Sequence, residues 1–242
     1  MVTMSHALGC NLTLWNPQAQ ALSTRYRVLR YDTRGHGQTS APPGPYSLEQ
    51  MADDLYGLLN GLGVTATHFV GISMGGMIGQ IFALKYPSMV QSLILCSTTS
   101  RYPTAVRSAV GERIRTVEAK AMEPMVEPAL ERWFTAPFRE RRPNVMDSVR
   151  AMIRGTPPQG YIGCCYAIPT IDVTDRLGEV QCPALVISGE EDPGTPVAMA
   201  QEICAAIPFS ELAVLPSASH LCNLEQREAF NRVLLGFLDK AA

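Results

Sequence analysis

The stretch His68-Phe-Val-Gly-Ile-Ser-Met-Gly-Gly-Met77 decides the fold of this chain. It begins as a short apolar strand, passes through the pentapeptide Gly71-Ile-Ser-Met-Gly75, and continues as an apolar helix to about Tyr86. A Gly-x-Ser-x-Gly turn between a strand and a helix is typical of a nucleophile elbow, which presents a serine beyond the end of a sheet. Glycines two residues before and after Ser73 leave room for this tight turn, because a Cβ there would meet neighbouring backbone.

The same pentapeptide can also be a structural turn without chemistry, since short glycine-rich patterns occur by chance. Here the preceding strand and the following helix favour the chemical interpretation. A helix that begins directly after Ser73 points free N–H groups and its positive dipole end at negative charge beside the hydroxyl. Ser73 is therefore a candidate nucleophile, and the N–H of Met74 is a candidate donor to an oxyanion.

A serine hydroxyl is a weak nucleophile until a base takes its proton. On a sheet of this type the chain order is serine, then acid, then histidine. The chain has four histidines, and only His220 follows Ser73. It lies in a predicted loop between a strand and the last helix, so we interpret it as the general base rather than as a surface histidine.

The acid is expected directly after an earlier strand, where its side chain can reach the histidine. Residues 184–188 predict such a strand, and Gly189-Glu-Glu-Asp192 follows at once. We interpret Asp192 as the residue that orients the histidine and stabilises the imidazolium. Glu190 and Glu191 remain alternatives, and either could instead be a solvated loop charge.

A second oxyanion donor is expected in the loop Ser5-His-Ala-Leu-Gly9, after the first strand of the chain. The N–H of Leu8 is the candidate, and a donor of this kind contributes about 3 kcal/mol of transition-state stabilisation. His6 precedes the nucleophile, so we expect it to shape the loop rather than to act as a base.

Apolar strands alternate with helices at both ends of the chain. The predicted strands are residues 2–5, 27–31, 67–71, 92–96, 184–188 and 211–215. Ser47-Leu-Glu-Gln50 fits a capping box at the start of a helix, and residues 224–238 predict a final amphipathic helix. This alternation favours an α/β fold with a mainly parallel, doubly wound sheet covered on both faces.

The middle of the chain has a different character. Residues 102–171 are richer in Arg, Glu, Pro and Met, with helical periodicity and no clear strand. We predict a helical cap there, inserted into a core made of residues 1–101 and 172–242. Such a cap would roof the elbow and shape a substrate pocket; the alternative is a helical embellishment remote from the site.

Composition narrows the classes of partner. The net charge is −2 with no basic stretch, which argues against nucleic acid. No apolar run is long enough for a membrane span and no leader pattern is present. The seven cysteines are odd in number and scattered, without metal-ligand spacing. We expect Cys164 and Cys165 to be buried thiols in a reduced, cytoplasmic protein that needs no metal or cofactor.

Together these motifs resemble the α/β-hydrolase superfamily over nearly the whole chain. A closer resemblance is to the 3-oxoadipate enol-lactonases of aromatic-compound catabolism. The segments that carry it are Leu29-Arg-Tyr-Asp-Thr-Arg-Gly-His-Gly37, Pro43-Gly-Pro-Tyr-Ser-Leu-Glu49, Arg132-Trp-Phe-Thr135, Gly160-Tyr-Ile-Gly-Cys-Cys-Tyr-Ala-Ile168 and Ser219-His-Leu-Cys-Asn-Leu-Glu225. Related esterases and cofactor-free perhydrolases share several of these segments.

The resemblance implies a serine hydrolase that opens the enol-lactone to 3-oxoadipate through an acyl-enzyme. A carboxylesterase or perhydrolase of the same fold is the first alternative, and a non-catalytic ligand-binding protein is the second. The lactone carries a carboxylate, which a cap arginine could bind through two parallel hydrogen bonds. The candidates are Arg132, Arg139 and Arg101, with Trp133 as a wall, although each arginine could also be surface charge.

The family usually carries two further antiparallel strands before the strand at residues 2–5. Without them, the strand at residues 27–31 would have an open edge, which favours aggregation or pairing with another chain. Two interpretations follow: the sequence is shortened at its start, or the short form is genuine and forms a homo-oligomer through that edge.

Overall fold

The computed structural model describes residues 1–102 and 107–241. Its centre is a six-stranded parallel sheet in the order β2-β1-β3-β4-β5-β6. The strands are β1 (Val2–Ser5), β2 (Val28–Arg30), β3 (Thr67–Ile72), β4 (Val90–Cys96), β5 (Ala184–Gly189) and β6 (Ser210–Leu215). The predicted α/β class, parallel pairing and strand positions are confirmed, with bounds that differ by no more than about two residues.

Helices cover both faces of the sheet, as the alternating pattern predicts. They are α1 (Asn16–Leu22), α2 (Leu48–Gly61), α3 (Met74–Lys85), α4 (Arg107–Lys120), α5 (Val126–Trp133), α6 (Ala136–Arg141), α7 (Pro143–Arg154), α8 (Pro158–Ala167), α9 (Val197–Ala206), α10 (Cys222–Glu225) and α11 (Arg227–Lys240). The predicted final helix is thus two helices, which meet at Gln226. Ser47 is confirmed as the N-cap of α2, since its hydroxyl accepts the Gln50 N–H at 3.0 Å; this is one of the two hydrogen bonds of a capping box.

The inner strands are continuous apolar runs because helices cover them on both sides. Every residue of β1, β3 and β5 is buried. The two edge strands differ: β2 is half-buried along its length, and β6 buries fully only its last residue. The core therefore lies against the four inner strands, on both faces of the sheet.

The strand order places the candidate site at one end of the sheet. The chain leaves β1 to form β2 on one side and returns to form β3 on the other. Ser5 at the end of β1 is opposite Gly71 in β3. Loops that leave two such neighbouring strands diverge and open a crevice at their carboxyl ends, where ligands bind in open α/β sheets. The loop at residues 5–9 and Ser73 both lie there.

Between β4 and β5 the described chain is helical, from α4 to α8. Its two ends meet beside the sheet, where Arg101 and Asp172 form an isolated antiparallel bridge and the Val173 N–H donates to the Ser100 carbonyl at 2.8 Å. Residues 103–106 of the predicted cap, and residue 242 of the predicted core, lie outside the described residues. No described helix is long and apolar enough to cross a bilayer.

The adjacent cysteines of α8 are packed in the interior. Cys164 and Cys165 are 0% and 2% exposed and are free thiols. Burial raises the pKa of Cys165 to about 11 and that of Cys164 still further. A neutral, buried thiol is a poor nucleophile, so the structure supports the interpretation of this pair as packing residues.

Candidate active site

Ser73 occupies the sharp turn between β3 and α3. Its φ of 54° and ψ of −117° lie in a region that costs a non-glycine residue about 1–3 kcal/mol. Two hydrogen bonds hold the turn: the Ser73 N–H donates to the Cys96 carbonyl at 2.9 Å, and the Thr98 hydroxyl donates to the Ser73 carbonyl at 2.8 Å. The neighbouring β4 and the residues after it therefore keep Ser73 in this strained conformation.

The two glycines of the pentapeptide are required by close backbone approach. A Cβ on Gly71 would lie 2.2 Å from the Gly75 carbonyl oxygen, and a Cβ on Gly75 would lie 2.2 Å from the Ser5 carbonyl oxygen. The steric argument made from the sequence is thus confirmed. Gly75 also shows that the elbow packs directly against the start of the loop at residues 5–9.

The candidate base and acid form a buried pair. His220 Nδ1 lies 2.7 Å from Asp192 Oδ2. The Thr195 hydroxyl donates to the same oxygen at 2.6 Å. The N–H groups of Gly194 and Thr195 donate to the other oxygen at 2.8 and 3.1 Å. The carboxylate side chain has no exposed surface, and it is fully occupied by donors.

These contacts decide the protonation of the pair. Burial alone would raise the pKa of Asp192, but the charge of His220 and the hydrogen bonds from His220 and Thr195 outweigh burial and hold that pKa below its usual value. An anionic Asp192 accepts a proton from Nδ1 of His220 in a hydrogen bond and so fixes the orientation of the ring. In the neutral imidazole with its proton on Nδ1, Nε2 carries the lone pair that a general base needs.

The alternative acids point elsewhere. Glu190 and Glu191 are exposed, and a Glu190 oxygen accepts the Ser217 N–H at 3.4 Å. Thr195, which the sequence analysis did not single out, contributes two of the donors to Asp192. A local signal for it existed, because an Asp followed at short range by Gly and Thr commonly closes a turn with its own side chain.

The two candidate oxyanion donors lie on adjacent elements. Met74 is the first residue of α3, so its N–H has no acceptor within the helix. Leu8 lies on the wall of the cavity that contains Ser73. Its neighbour Gly9 has a φ of 74° and donates its N–H to His36 Nε2 at 3.0 Å, which fixes the backbone directly after Leu8.

Two buried histidines, His6 and His36, hydrogen-bond to the backbone in and around this loop. His6 Nδ1 donates to the Ala7 carbonyl at 2.8 Å, and its Nε2 accepts the Thr33 N–H at 3.0 Å. Burial lowers the pKa of His6 to about 4. Burial, together with the nearby His6, lowers that of His36 to about 3. His6 is thus a neutral loop-shaping residue, as expected, and His36 has the same role, which the sequence analysis did not identify.

We expect the free energy of unfolding to fall as the pH drops below about 6.5, the pKa of histidine in an unfolded chain. The unfolded chain then binds protons on His6 and His36, whereas the folded chain excludes them until the pH approaches about 4 and 3. The contribution of these two histidines to the free energy of unfolding is therefore fully present above the pKa of the unfolded chain and is lost as the pH falls. One pKa unit corresponds to about 1.4 kcal/mol, so urea unfolding midpoints measured from neutral to mildly acidic pH should decrease strongly.

The variant His36→Gln provides the control for this pH dependence. Its amide oxygen can still accept the Gly9 N–H, but it binds no proton in this range. The slope of unfolding free energy against pH should therefore decrease by nearly one proton relative to the unmodified chain. An unchanged slope would contradict the assignment of His36 as a buried, neutral imidazole.

Ser73, His220 and Asp192 share one cavity of about 310 Å³. Leu8, Tyr102, Arg113, Arg132, Trp133 and Tyr161 are among the residues that complete its wall. Trp133 stacks on His220, with ring centroids 6.4 Å apart and planes at 25°. The cavity lies at the small end of the range for ligand pockets, so its volume suits a small-molecule ligand.

The structure corrects the arginine candidates. Arg132 and Trp133 line the cavity, but Arg101 and Arg139 do not. Arg101 forms surface ion pairs at 2.5 Å with Asp172 and at 2.7 Å with Asp175. Arg139 lines a separate cavity, between α5, α6 and α7. The expectation that Arg101 or Arg139 meets a substrate carboxylate beside Ser73 is wrong, because Arg101 is held at the surface by its two ion pairs and α6 places Arg139 in the other cavity.

Arg113 of α4 lines the cavity and was missed by the sequence analysis. Its positive charge is close enough to the side chains of Tyr161 and Cys165 to oppose the rise that burial causes in their pKa values. Burial and the like charge of Arg113 both lower the pKa of Arg132, which shows that the two guanidiniums are close. Among the described residues, neither Arg113 nor Arg132 forms a salt bridge. The cavity therefore combines the candidate nucleophile, base and acid with two arginines that form no ion pair with a described carboxylate.

Comparison with known proteins relates this chain to one family of hydrolases. A family model described as the alpha/beta hydrolase fold matches residues 2–226. The chain is 37% identical over 230 residues to 3-oxoadipate enol-lactonase 2 of Acinetobacter baylyi, covering 95% of this chain and 85% of that protein.

Two solved structures are similar along nearly the whole chain. An enol-lactonase from Burkholderia xenovorans LB400 superposes with a TM-score of 0.95 at 36% identity, covering 98% of this chain and 90% of that one. A thermophilic esterase from Thermogutta terrifontis, solved with malate bound, superposes with a TM-score of 0.95 at 31% identity. The match covers 99% of this chain and 89% of the esterase chain. With the family model matching most of its length, this chain belongs to the alpha/beta hydrolase fold family.

Proposed function

We propose that this protein is a serine hydrolase that opens 3-oxoadipate enol-lactone to 3-oxoadipate. One observation carries the proposal: the cavity that contains Ser73, His220 and Asp192 also contains Arg113 and Arg132, neither of which forms an ion pair with a described carboxylate. A substrate with both a reactive ester bond and a carboxylate matches that combination. The relatives named as enol-lactonases, and the related esterase solved with the dicarboxylate malate, support this choice.

In the first chemical step, Nε2 of His220 takes the Ser73 proton and the Ser73 oxygen attacks the lactone carbonyl. The negative charge that develops on the carbonyl oxygen is met by the N–H groups of Leu8 and Met74. Asp192 stabilises the imidazolium through the 2.7 Å hydrogen bond to Nδ1 and does not itself take the proton.

The ring carbon–oxygen bond then breaks, and the enol oxygen leaves with the electron pair. An enolate is a better leaving group than an amine, so protonation by His220 is less demanding than in amide hydrolysis. His220 gives the proton it took from Ser73 to the enol part, which stays attached to the acyl-enzyme because the ester was part of a ring, and the enol becomes the ketone of the product. The neutral His220 then removes a proton from water, which attacks the acyl-enzyme, and returns that proton to Ser73 as the acyl–oxygen bond breaks.

The two arginines are assigned to the substrate carboxylate. A guanidinium presents a planar fork of donors that matches a carboxylate, and two like charges in one partly buried cavity favour an anion between them. Trp133 supplies an apolar wall above His220. This arrangement would orient the ring so that its carbonyl faces Ser73.

We expect Arg113→Gln to raise the KM for the enol-lactone about ten- to a hundredfold, because a charge-assisted hydrogen bond contributes about 1.5–3 kcal/mol. The kcat for the lactone should change little, since the lost contact is the same in the ground and transition states. The KM for an uncharged aryl ester should stay unchanged. Initial rates would be followed by loss of the enol chromophore and by release of the aryl alcohol.

Two controls accompany this experiment. Arg139→Gln removes a charge of the same kind that lies outside the cavity and should leave both substrates unaffected, and Ser73→Ala should abolish both reactions. Equal effects of Arg113→Gln on lactone and ester would overturn the carboxylate assignment. A folded protein that hydrolyses the ester but not the lactone would instead be an esterase, the second candidate, which the relationship to the Thermogutta enzyme favours.

A further inference from the structure

We propose that Glu225 is a positioning residue whose buried carboxylate joins the pocket wall at residues 132–135 to the loop that carries His220. The proposal rests on the proposed role of His220 as the base. It adds that the base reaches its working position only when this wall is in place.

Glu225 ends α10 and is 8% exposed. One carboxylate oxygen accepts the Ser219 N–H at 2.9 Å. The other accepts the Thr135 N–H at 3.0 Å and also the Thr135 hydroxyl. A buried carboxylate is costly unless donors surround it, and here the three donors come from two segments that are distant in sequence. Glu225 therefore crosslinks the turn between α5 and α6 to the residue directly before His220.

Two further hydrogen bonds join the same two segments. The Ser219 hydroxyl donates to the Arg132 carbonyl at 2.8 Å, and the Leu221 N–H donates to the Trp133 carbonyl at 3.1 Å. The backbone on both sides of His220 is thus attached to the backbone of two pocket-lining residues. Glu225 is the one side chain in this set that binds both segments through charged oxygens.

This attachment has a direct consequence for the base. Asp192 fixes the tautomer of the His220 ring, but the backbone at residues 219–221 fixes where Nε2 points. Removing the Glu225 charge leaves the Asp192 contact available and loosens that backbone. A displacement of about 1 Å between reacting groups can lower a rate about 10²-fold, so the effect on chemistry should exceed the effect on stability.

Glu225→Gln in the full chain tests the proposal. Glutamine has nearly the same shape, and its oxygen can accept hydrogen bonds from one of the two segments, but its NH₂ group cannot accept from the other. We expect the rate at which a small uncharged phosphonate labels Ser73 to fall about 10²-fold. We also expect the downfield proton signal of the His220–Asp192 hydrogen bond to broaden or disappear. His220→Gln assigns that signal, since the chain has four histidines.

A matched stability control separates positioning from general damage. Leu234→Ala removes a core side chain of α11 that is 1% exposed, so it should lower the melting temperature while leaving labelling rate and proton signal unchanged. Thr135→Val removes only the hydroxyl contact to Glu225 and should slow labelling several-fold. It also decides the question if Glu225→Gln does not fold.

The outcomes are distinct. Slower labelling together with a weakened proton signal supports the positioning role. Unchanged labelling and signal in folded Glu225→Gln or Thr135→Val would overturn it and leave Glu225 as a structural contact. If the unmodified protein is not labelled, the proposed hydrolase function fails, whereas the His220–Asp192 signal still tests Glu225 without any substrate.

Discussion

Asp192→Asn is expected to lower kcat about 10⁴-fold for any ester or lactone that the protein hydrolyses, while the fold remains intact. The asparagine oxygen can still accept the N–H groups of Gly194 and Thr195, which now bind Oδ1 at 2.8 and 3.1 Å. Its NH₂ group would face Nδ1 of His220 in place of the oxygen at 2.7 Å. That contact favours the tautomer with a proton on Nε2, which cannot accept the Ser73 proton.

Glu190→Gln provides the matched control, because it makes the same chemical change in an exposed acid two residues away. It should leave kcat within about twofold, since surface changes of this kind usually act weakly. The double variant with Ser73→Ala should be no slower than Ser73→Ala alone, as residues that act as a unit are not additive. A kcat for Asp192→Asn within tenfold of the unmodified enzyme would remove Asp192 from the mechanism.

Gly75→Ala is expected to damage both stability and activity. The new Cβ would lie 2.2 Å from the Ser5 carbonyl oxygen and 2.6 Å from its carbon, and neither atom belongs to a flexible side chain. Overpacking of this kind costs about 1–3 kcal/mol and sometimes more. Relieving the strain moves the elbow and the loop at residues 5–9 apart, and since each of them carries one proposed oxyanion donor, kcat should fall about 10²–10³-fold.

Gly57→Ala makes the same chemical change where the structure has space. Gly57 lies exposed within α2, and a Cβ there would meet nothing within 4 Å. Alanine should stabilise the helix by about 0.5–1 kcal/mol, with no change in kcat. Urea unfolding and initial rates on both variants give the comparison. If Gly75→Ala matches the unmodified protein in both measurements, the Ser5 carbonyl does not exclude a Cβ at position 75 and the prediction is wrong.

The strands, and the meeting of Ser73, Asp192 and His220 in one cavity, could be predicted because their signals are local. Apolar runs of strand length mark the sheet, and the pentapeptide marks Ser73. The chain order then leaves one histidine and a short acidic turn. Distinguishing Asp192 from Glu190 and Glu191 needed the structure, since three consecutive acids differ only in the direction in which the turn points them.

The pocket wall could not be predicted to the same depth. Arg113, Arg132 and Arg139 all lie in helices between β4 and β5, and their sequence contexts do not reveal which helix face meets the cavity. Which of them lines the site depends on how those helices pack on one another. The role of Glu225 could not be predicted either, because Thr135 is 90 residues away in the chain and no local pattern links the two.

The pairing of β1 with β3 has a consequence for the chemistry. Ser5 and Gly71 are in register on neighbouring strands, and each strand leads within a few residues to one proposed oxyanion donor, Leu8 or Met74. The spacing of the two donors is therefore set by the hydrogen bonds of the sheet itself. In the proposed mechanism the oxyanion hole is preorganised: its dipoles point at the developing charge before the substrate arrives, and no reorganisation energy is required during the reaction.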